Sequence, residues 1–343
     1  MSVLQAFGGR VAVRVVPRSV LVCVGTVALI LIVAVITLTT GDFPLPLGEV
    51  LRTLFGGGSP LDEFVLNTLR LSRLLTGLLV GAALAVGGST FQSVARNPLG
   101  SPDIVGFTQG AATGALLVIV VLHGSTTQIA LGALISGLGT AIAVYLLAVR
   151  RGVAGYRLIL IGVGVAAMLT AVNGYLITRA NLADAQAAAV WLTGSLNGRD
   201  WTQVYPIAIA VVVLLPLAAY LGRGLRMLEL GDDTAKALGV GTERVRIGAV
   251  LVGVALTAVA TASAGPIVFV ALSAPQITQR LTGVPGPNIV PTALTGALLL
   301  SASDLVAQRI FDPTQLPVGV FTGVLGGIYL AWLLGREWRK GRG

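Results

Sequence analysis

Long apolar segments follow one another along almost the whole chain, and they constrain its fold more than any other feature. The clearest of them cover residues 20–39, 71–92, 104–122, 127–149, 158–178, 203–222 and 247–264. About 20 consecutive apolar residues, when helical, match the thickness of the hydrocarbon core of a bilayer. Only 11% of the residues are charged, about half the fraction that is typical of a soluble domain. The sequence therefore predicts an all-α polytopic membrane protein.

The last third of the chain is interrupted by proline and glycine. Residues 266–279, 290–308 and 316–335 are predicted to form a short helix and two further spans, which brings the total to about ten transmembrane helices. The first span is too long for the core of a cleaved signal peptide, so we expect it to be retained. An even number of spans places both termini on the same side of the membrane, and residues 1–343 are expected to form one permease-like transmembrane domain.

The basic residues predict the orientation of this domain. With the N-terminus inside, 17 of the 23 Lys and Arg residues fall on the cytoplasmic side and six outside. The positive-inside rule favours this orientation. We expect the protein to lie in the inner (cytoplasmic) membrane, in contact with membrane lipid. Residues 1–19 then form a cytoplasmic tail and residues 223–246 a cytoplasmic loop. Because the basic residues are spread over many segment ends, the formal charge of +9 does not indicate a nucleic-acid partner.

Residues 223–246 form a charge-dense island between two apolar segments. Asp232 is suited to cap the start of a helix, and Gly239 is suited to end it in a left-handed conformation. One helix of about two turns, about 10 Å long, fits between them. A short helix that projects from a membrane domain is a suitable surface for a protein partner outside the membrane. The alternative is that the island is only a turn between two spans.

The spans contain almost no groups that could carry a proton or an ion. Asp304 is the main ionisable candidate, and the lone His123 falls in a predicted outer loop. Gradient-driven transporters usually place such groups inside the bilayer. The chain also lacks a phosphate-binding loop, a catalytic constellation and a metal-ligand spacing. We therefore expect no catalytic residue, metal or cofactor in this chain, and we expect the energy to come from a separate ATPase that holds ATP and magnesium.

Several motifs occur in one order over residues 65–343 and carry a family resemblance. They are LRLSR at 69–73, GGSTFQ at 87–92, RNPLG at 96–100, LELG at 228–231, ALGV at 237–240, GPIVFV at 265–270 and LPVGV at 316–320. With them the chain resembles the FecCD family of ABC importer permeases, whose members carry iron–siderophore complexes, haem and vitamin B12. The resemblance implies the type II ABC importer permease architecture, in which a second permease chain, ABC ATPase subunits and an extracytoplasmic substrate-binding protein are partners.

The resemblance also assigns roles to individual residues. It implies that a cytoplasmic helix of the permease enters a cleft of the ATPase. The coupling residues are then those of the island: Glu229, Leu230, Gly231, Asp232, Asp233, Ala235, Leu238, Gly239 and Val240. Ala235 and Leu238 are expected on the surface that meets the ATPase.

On the outer side, the resemblance implies arginines that meet carboxylates of the binding protein. Arg70 and Arg73 match this motif, and the alternative for both is an interfacial anchor that reaches the headgroups. Arg309 is a weaker match, because the family's arginine aligns with Gln308. The chain also has Pro275-Gln276 where many relatives have Pro-His.

Three glycines at a spacing of four, Gly106, Gly110 and Gly114, lie on the third predicted span. They suit either close helix packing or a smooth wall of a translocation path. The resulting prediction is a permease that forms half of a dimeric path for a ferric siderophore, with vitamin B12 or haem as the alternative cargo. A gradient-driven secondary transporter and a membrane-embedded enzyme are the other classes considered.

Overall fold

The computed structural model describes residues 2–6, 11–102, 106–148, 155–311 and 314–340, and these residues are predominantly helical. A short antiparallel hairpin precedes the helices and consists of β1 (Ser2–Ala6) and β2 (Val11–Val15). The helices in the described residues are α1 (Pro17–Thr39), α2 (Leu47–Leu54), α3 (Pro60–Glu63), α4 (Ser72–Ala95), α5 (Phe107–Leu117), α6 (Thr126–Ala148), α7 (Gly155–Arg179), α8 (Leu182–Thr193), α9 (Trp201–Glu229), α10 (Asp232–Ala237), α11 (Thr242–Ala264), α12 (Val270–Thr282), α13 (Ile289–Arg309) and α14 (Val318–Lys340). The π-helical stretches Phe64–Leu71 and Val118–Leu122 lie directly before α4 and directly after α5.

Seven helices in the described part of the chain are long and apolar enough to cross a bilayer. They are α1, α4 with its preceding turns, α6, α7, α9, α11 and α13, and each coincides with a predicted span. The other three predicted spans correspond to the apolar stretch Phe107–Leu122, which begins with α5, to the apolar stretch Val318–Trp332 of α14 and to the 13-residue α12. At 1.5 Å per residue α12 is about 20 Å long, short of a bilayer core. The total of ten spans remains a prediction.

Helix α4 lies at the centre of the bundle and is buried over most of its length. Its glycines explain how several helices approach it at once. A Cβ on Gly81 would lie 2.3 Å from the carbonyl oxygen of Gly296 in α13, and one on Gly88 would lie 1.8 Å from that of Ala271 in α12. Small residues permit such backbone contact, which stabilises helix association in a membrane by van der Waals packing.

The sequence did not predict three short helices, α2, α3 and α8, at the opposite end of the bundle from α10. The amphipathic α2 and the alanine-rich α8 are short, and neither has the apolar length of a span. Helix α9 is longer than its predicted span of 203–222 and continues to Glu229. The first seven residues of the charge-dense island are therefore the last turns of α9.

Candidate functional site

The island forms a short helix, α10, at one end of the bundle between α9 and α11. Gly231 and Gly239, with φ of +112° and +78°, lie on either side of it. The predicted end at Gly239 agrees with this geometry. The predicted cap is wrong: the N-cap residue is Gly231, which has no side chain, and Asp232 is the first helical residue. The carboxylate of Asp232 instead binds two arginines.

One face of α10 packs on the bundle and the other faces outward. Ala235 is 0% exposed and belongs to an apolar cluster with Leu225, Leu228 and Ala249. Leu230 and Leu238 are 63% and 61% exposed. The expectation that Ala235 lies on the outer surface is therefore wrong, because α10 turns this small residue toward α9 and α11. The exposed face offers apolar leucines beside Asp233 and Lys236.

Three elements meet at Asp232. Arg246 of α11 donates from Nη2 to Asp232 Oδ2 at 2.9 Å and to Oδ1 at 3.0 Å, and Arg96, which follows the last residue of α4, pairs with the same carboxylate. The bonds from Arg246 hold the pKa of Asp232 below its usual value, and Arg96 adds to this effect. A further link joins α4 to the end of α9, because Ser93 Oγ donates to Glu229 Oε1 at 2.8 Å.

At the opposite end of the bundle, Arg73 is buried and its guanidinium is bound within the protein. Nε and Nη2 donate to the two carboxylate oxygens of Asp304, each at 2.9 Å, and Nη1 donates to Gln315 Oε1 at 2.8 Å. Gln308 donates to the same carboxylate at 2.7 Å. This bidentate pair connects α4, α13 and the segment before α14. Asp304, the main ionisable candidate of the spans, is therefore neutralised by a buried partner.

Arg70 and Arg309 lie at the same end, in contact with the segment that follows α1. Arg70 donates to the carbonyl oxygens of Leu38 at 2.7 Å and Phe43 at 2.5 Å. Arg309 is exposed and donates to Thr40 Oγ1 at 2.5 Å. Both arginines retain further N–H donors, so the three candidate docking residues have different environments. Arg73 is buried, Arg70 is partly buried and Arg309 is exposed.

The three glycines of the third predicted span lie at helix contacts. A Cβ on Gly110 would lie 2.1 Å from Thr140 Oγ1, and one on Gly114 would lie 2.1 Å from the carbonyl oxygen of Gly132, both in α6. Gly106 precedes α5 and lies against α7. These contacts favour close helix packing over the wall of a translocation path as the role of the three glycines.

Gln276, at the position of the Pro-His motif, has two partners. Its Nε2 donates to the carbonyl oxygen of Pro98 at 2.7 Å, and its Oε1 accepts from the hydroxyl of Tyr329 at 3.4 Å. Arg280, one turn further on, lies over the rings of Tyr329 and Trp332. The amide thus joins the loop after α4 to α12 and α14. Among the residues that the structure describes, no group of three His, Cys, Asp or Glu side chains could hold a metal ion.

Sequence reasoning did not identify the side chains that bind Asp232 and Glu229. Arg96, Arg246 and Ser93 are more than ten residues away from the carboxylates that they bind. Their only sequence signal was that the two arginines belong to the predicted cytoplasmic group of basic residues.

Comparison with known proteins identifies the class of this protein. The model of the FecCD transport family matches residues 29–336, and the chain belongs to this family of ABC transporter permeases.

Individual relatives match over nearly their full length. The chain is 47% identical over 323 residues to the ferric enterobactin transport system permease protein FepG of Escherichia coli (strain K12), covering 94% of this chain and 98% of the relative. It is 40% identical over 308 residues to the Fe(3+) dicitrate transport system permease protein FecD of the same organism, covering 88% and 94%. A solved structure described as an inward-facing conformation of a metal-chelate type ABC transporter superposes with a TM-score of 0.81 at 29% identity, covering 92% of this chain and 99% of that one.

Proposed function

We propose that this protein is the membrane-spanning permease subunit of an ABC importer that carries a ferric siderophore or a related iron chelate across the inner membrane. The observation that carries the proposal is α10, a short helix flanked by the exposed Leu230 and Leu238, in a chain of the FecCD transport family. The energy source is ATP hydrolysis on a separate ABC ATPase, with ATP and magnesium bound there.

The functional unit is a dimer of permease chains, identical or paralogous, with about ten spans each and both termini in the cytoplasm. Two ATPase subunits contact α10 and its flanking residues, Glu229 to Val240. Leu238 and Leu230 are the strongest candidates for the contact, because they are the exposed apolar side chains of this segment. Burying such side chains against a partner provides most of the favourable free energy of association.

A substrate-binding protein docks at the opposite end. Arg70 and Arg309 are the better candidates for its carboxylates, since both have free donors near the surface and charge-assisted pairs are strong. A docking contact through Arg73 requires Asp304 to release it. The same internal pair argues against a gradient-driven secondary transporter that binds a coupling ion at Asp304, because both carboxylate oxygens are already bound by Arg73.

The contact with the ATPase is tested with Leu238→Arg in the complex assembled with its ATPase and binding protein. We expect the ATPase to be lost on co-purification, because a charge replaces an apolar contact. Leu61→Arg is the matched control: Leu61 is 56% exposed and lies in α3 at the opposite end, and this variant retains the ATPase. Retention of the ATPase and of its response to the binding protein in Leu238→Arg would contradict the proposal.

The cargo is tested by uptake of radiolabelled iron in cells whose only iron-chelate permease is this chain. The relatives are permeases for ferric enterobactin and Fe(3+) dicitrate, so we expect a ferric siderophore to support uptake. Excess vitamin B12 or haem leaves the uptake unchanged if the cargo is an iron siderophore. Competition by either compound would favour the alternative cargo.

A further inference from the structure

At the α10 end of the bundle, a single carboxylate joins three structural elements. Asp232 begins α10, Arg246 lies in the second turn of α11, and Arg96 is the residue at which α4 ends. Both arginines bind the carboxylate of Asp232. Arg246 is the more rigid partner, since its side chain is only 10% exposed. Asp232 therefore connects the outward-facing helix to two helices of the bundle interior.

Of the two ion pairs of Asp232, the pair with Arg96 connects α10 to the centre of the bundle. Arg96 has a left-handed backbone, with φ of 49°, which is uncommon for a residue with a Cβ and persists only where the surroundings hold it. Helix α4 is the most buried of the spans, and it touches α11, α12 and α13 through glycine contacts. A displacement of Arg96 would thus reach the centre of the bundle directly.

Helix α10 is joined by the chain to α9 through Leu230 and Gly231 and to α11 through residues 238–241. Of its six residues only Ala235 is buried, in an apolar cluster with residues of α9 and α11. Ion pairs with two donors fix both distance and direction. The ion pair with Arg96 therefore connects α10 to α4, a helix with which α10 shares no direct chain connection.

We propose that Asp232 is the positioning residue that transmits the displacement of α10 to α4 and α11 during the transport cycle. This inference rests on the proposed function, because the displacement originates in the partner ATPase. Asp232 acts through Arg96 and Arg246, and the ATPase is held by the exposed leucines. Loss of the carboxylate then leaves the ATPase bound and active but disconnects its cycle from the permease.

The experiment compares cargo transported per ATP hydrolysed in the full complex reconstituted in liposomes with the binding protein. In Asp232→Asn we expect the ATPase to co-purify and this ratio to fall about tenfold or more, because the charge-assisted bonds from both Arg246 and Arg96 are weakened together. Arg96→Gln removes only the link to α4, at a side chain that is 41% exposed, so the variant folds, and we expect the same defect. The double variant Asp232→Asn with Arg96→Gln is no worse than Asp232→Asn alone, because loss of the carboxylate already breaks the ion pair with Arg96.

Glu243→Gln is the matched control. Glu243 also pairs with Arg246, at 3.6 Å, but within α11, so its loss disconnects no element and leaves the ratio unchanged. A normal ratio in Arg96→Gln and Asp232→Asn would overturn the proposal. Loss of the ATPase from Asp232→Asn would also overturn it, by making Asp232 a docking contact. Retention of the ATPase in Leu238→Arg contradicts the proposed function instead, which keeps the two failures distinct.

Discussion

Two arginines of one motif, Arg70 and Arg73, have different environments because they lie three residues apart on neighbouring faces of a helical segment. The side chain of Arg70 donates to backbone carbonyl oxygens in the last turn of α1 and in the segment that follows it, and that of Arg73 points inward to Asp304. A residue pattern alone cannot distinguish these directions. The structure therefore separates a surface arginine from an arginine whose charge is balanced inside the protein.

The buried pair makes a prediction about stability. Asp304→Leu leaves the guanidinium of Arg73 buried without a counter-charge, which costs about 3–5 kcal/mol. The double variant Arg73→Met with Asp304→Leu removes both charges, and we expect it to recover most of that loss. Thermal unfolding midpoints in one detergent measure the effect. A double variant that is less stable than Asp304→Leu would show that the two side chains are not a pair.

The lowered pKa of Asp232 predicts how the stability of the folded protein depends on pH. Its pKa in the folded protein lies below the value of about 3.9 for an unfolded chain, because Arg246 donates to the carboxylate. The stabilisation is therefore complete above about pH 4 and is lost as the pH falls through the lowered pKa. We expect the difference in unfolding midpoint between the native protein and Asp232→Asn to stay constant from pH 8 to pH 5. A decline in that range would contradict the assignment.

At the scale of elements, the glycines of α4 determine how closely the helices approach. Gly88→Ala would place a methyl group 1.8 Å from the carbonyl oxygen of Ala271, so α12 must move away. We expect the free energy of unfolding to fall by about 1–3 kcal/mol or more. The measurements are the unfolding midpoint and the yield of protein extracted from the membrane, and both should be lower. Gly164→Ala is the control, since no atom lies within 4 Å of its added Cβ. Equal stability of the two variants would contradict the packing at Gly88.

The elements that could be predicted from the sequence are those with a local signal. A long apolar helix such as α6 is visible because hydropathy is a property of consecutive residues. The 12-residue α8 lacks that length, and the direction of Ala235 depends on how α10 sits against α9 and α11. The pairs Arg73–Asp304 and Arg96–Asp232 join residues that are 231 and 136 positions apart. No periodicity links such positions in one sequence, so these contacts could not be predicted.

At the scale of the whole molecule, the distribution of charge and the positions of the two candidate surfaces agree with each other. Helix α10 lies at the end of the bundle where the arginines of the predicted cytoplasmic group gather, including Arg96 and Arg246. The arginines of the predicted outer group, Arg70 and Arg309, lie together at the other end and contact the same segment. In an importer the surface for the ATPase and the surface for the binding protein must lie on opposite sides of the membrane. The two ends of the bundle meet this requirement.

The orientation itself is a prediction that labelling can check. Cys23 is the only cysteine of the chain, so Cys23→Ser provides a background in which a single new thiol is placed at either end. We expect Lys236→Cys to react with a membrane-impermeant maleimide only in inside-out vesicles, and Leu61→Cys only in intact spheroplasts, because a charged reagent does not cross the hydrocarbon core. Both side chains are exposed in the isolated chain, so the chain is expressed without its ATPase and binding protein, and lack of reaction then reflects sidedness. The reverse pattern would place α10 outside, where no ATPase could reach it, and would contradict both proposals.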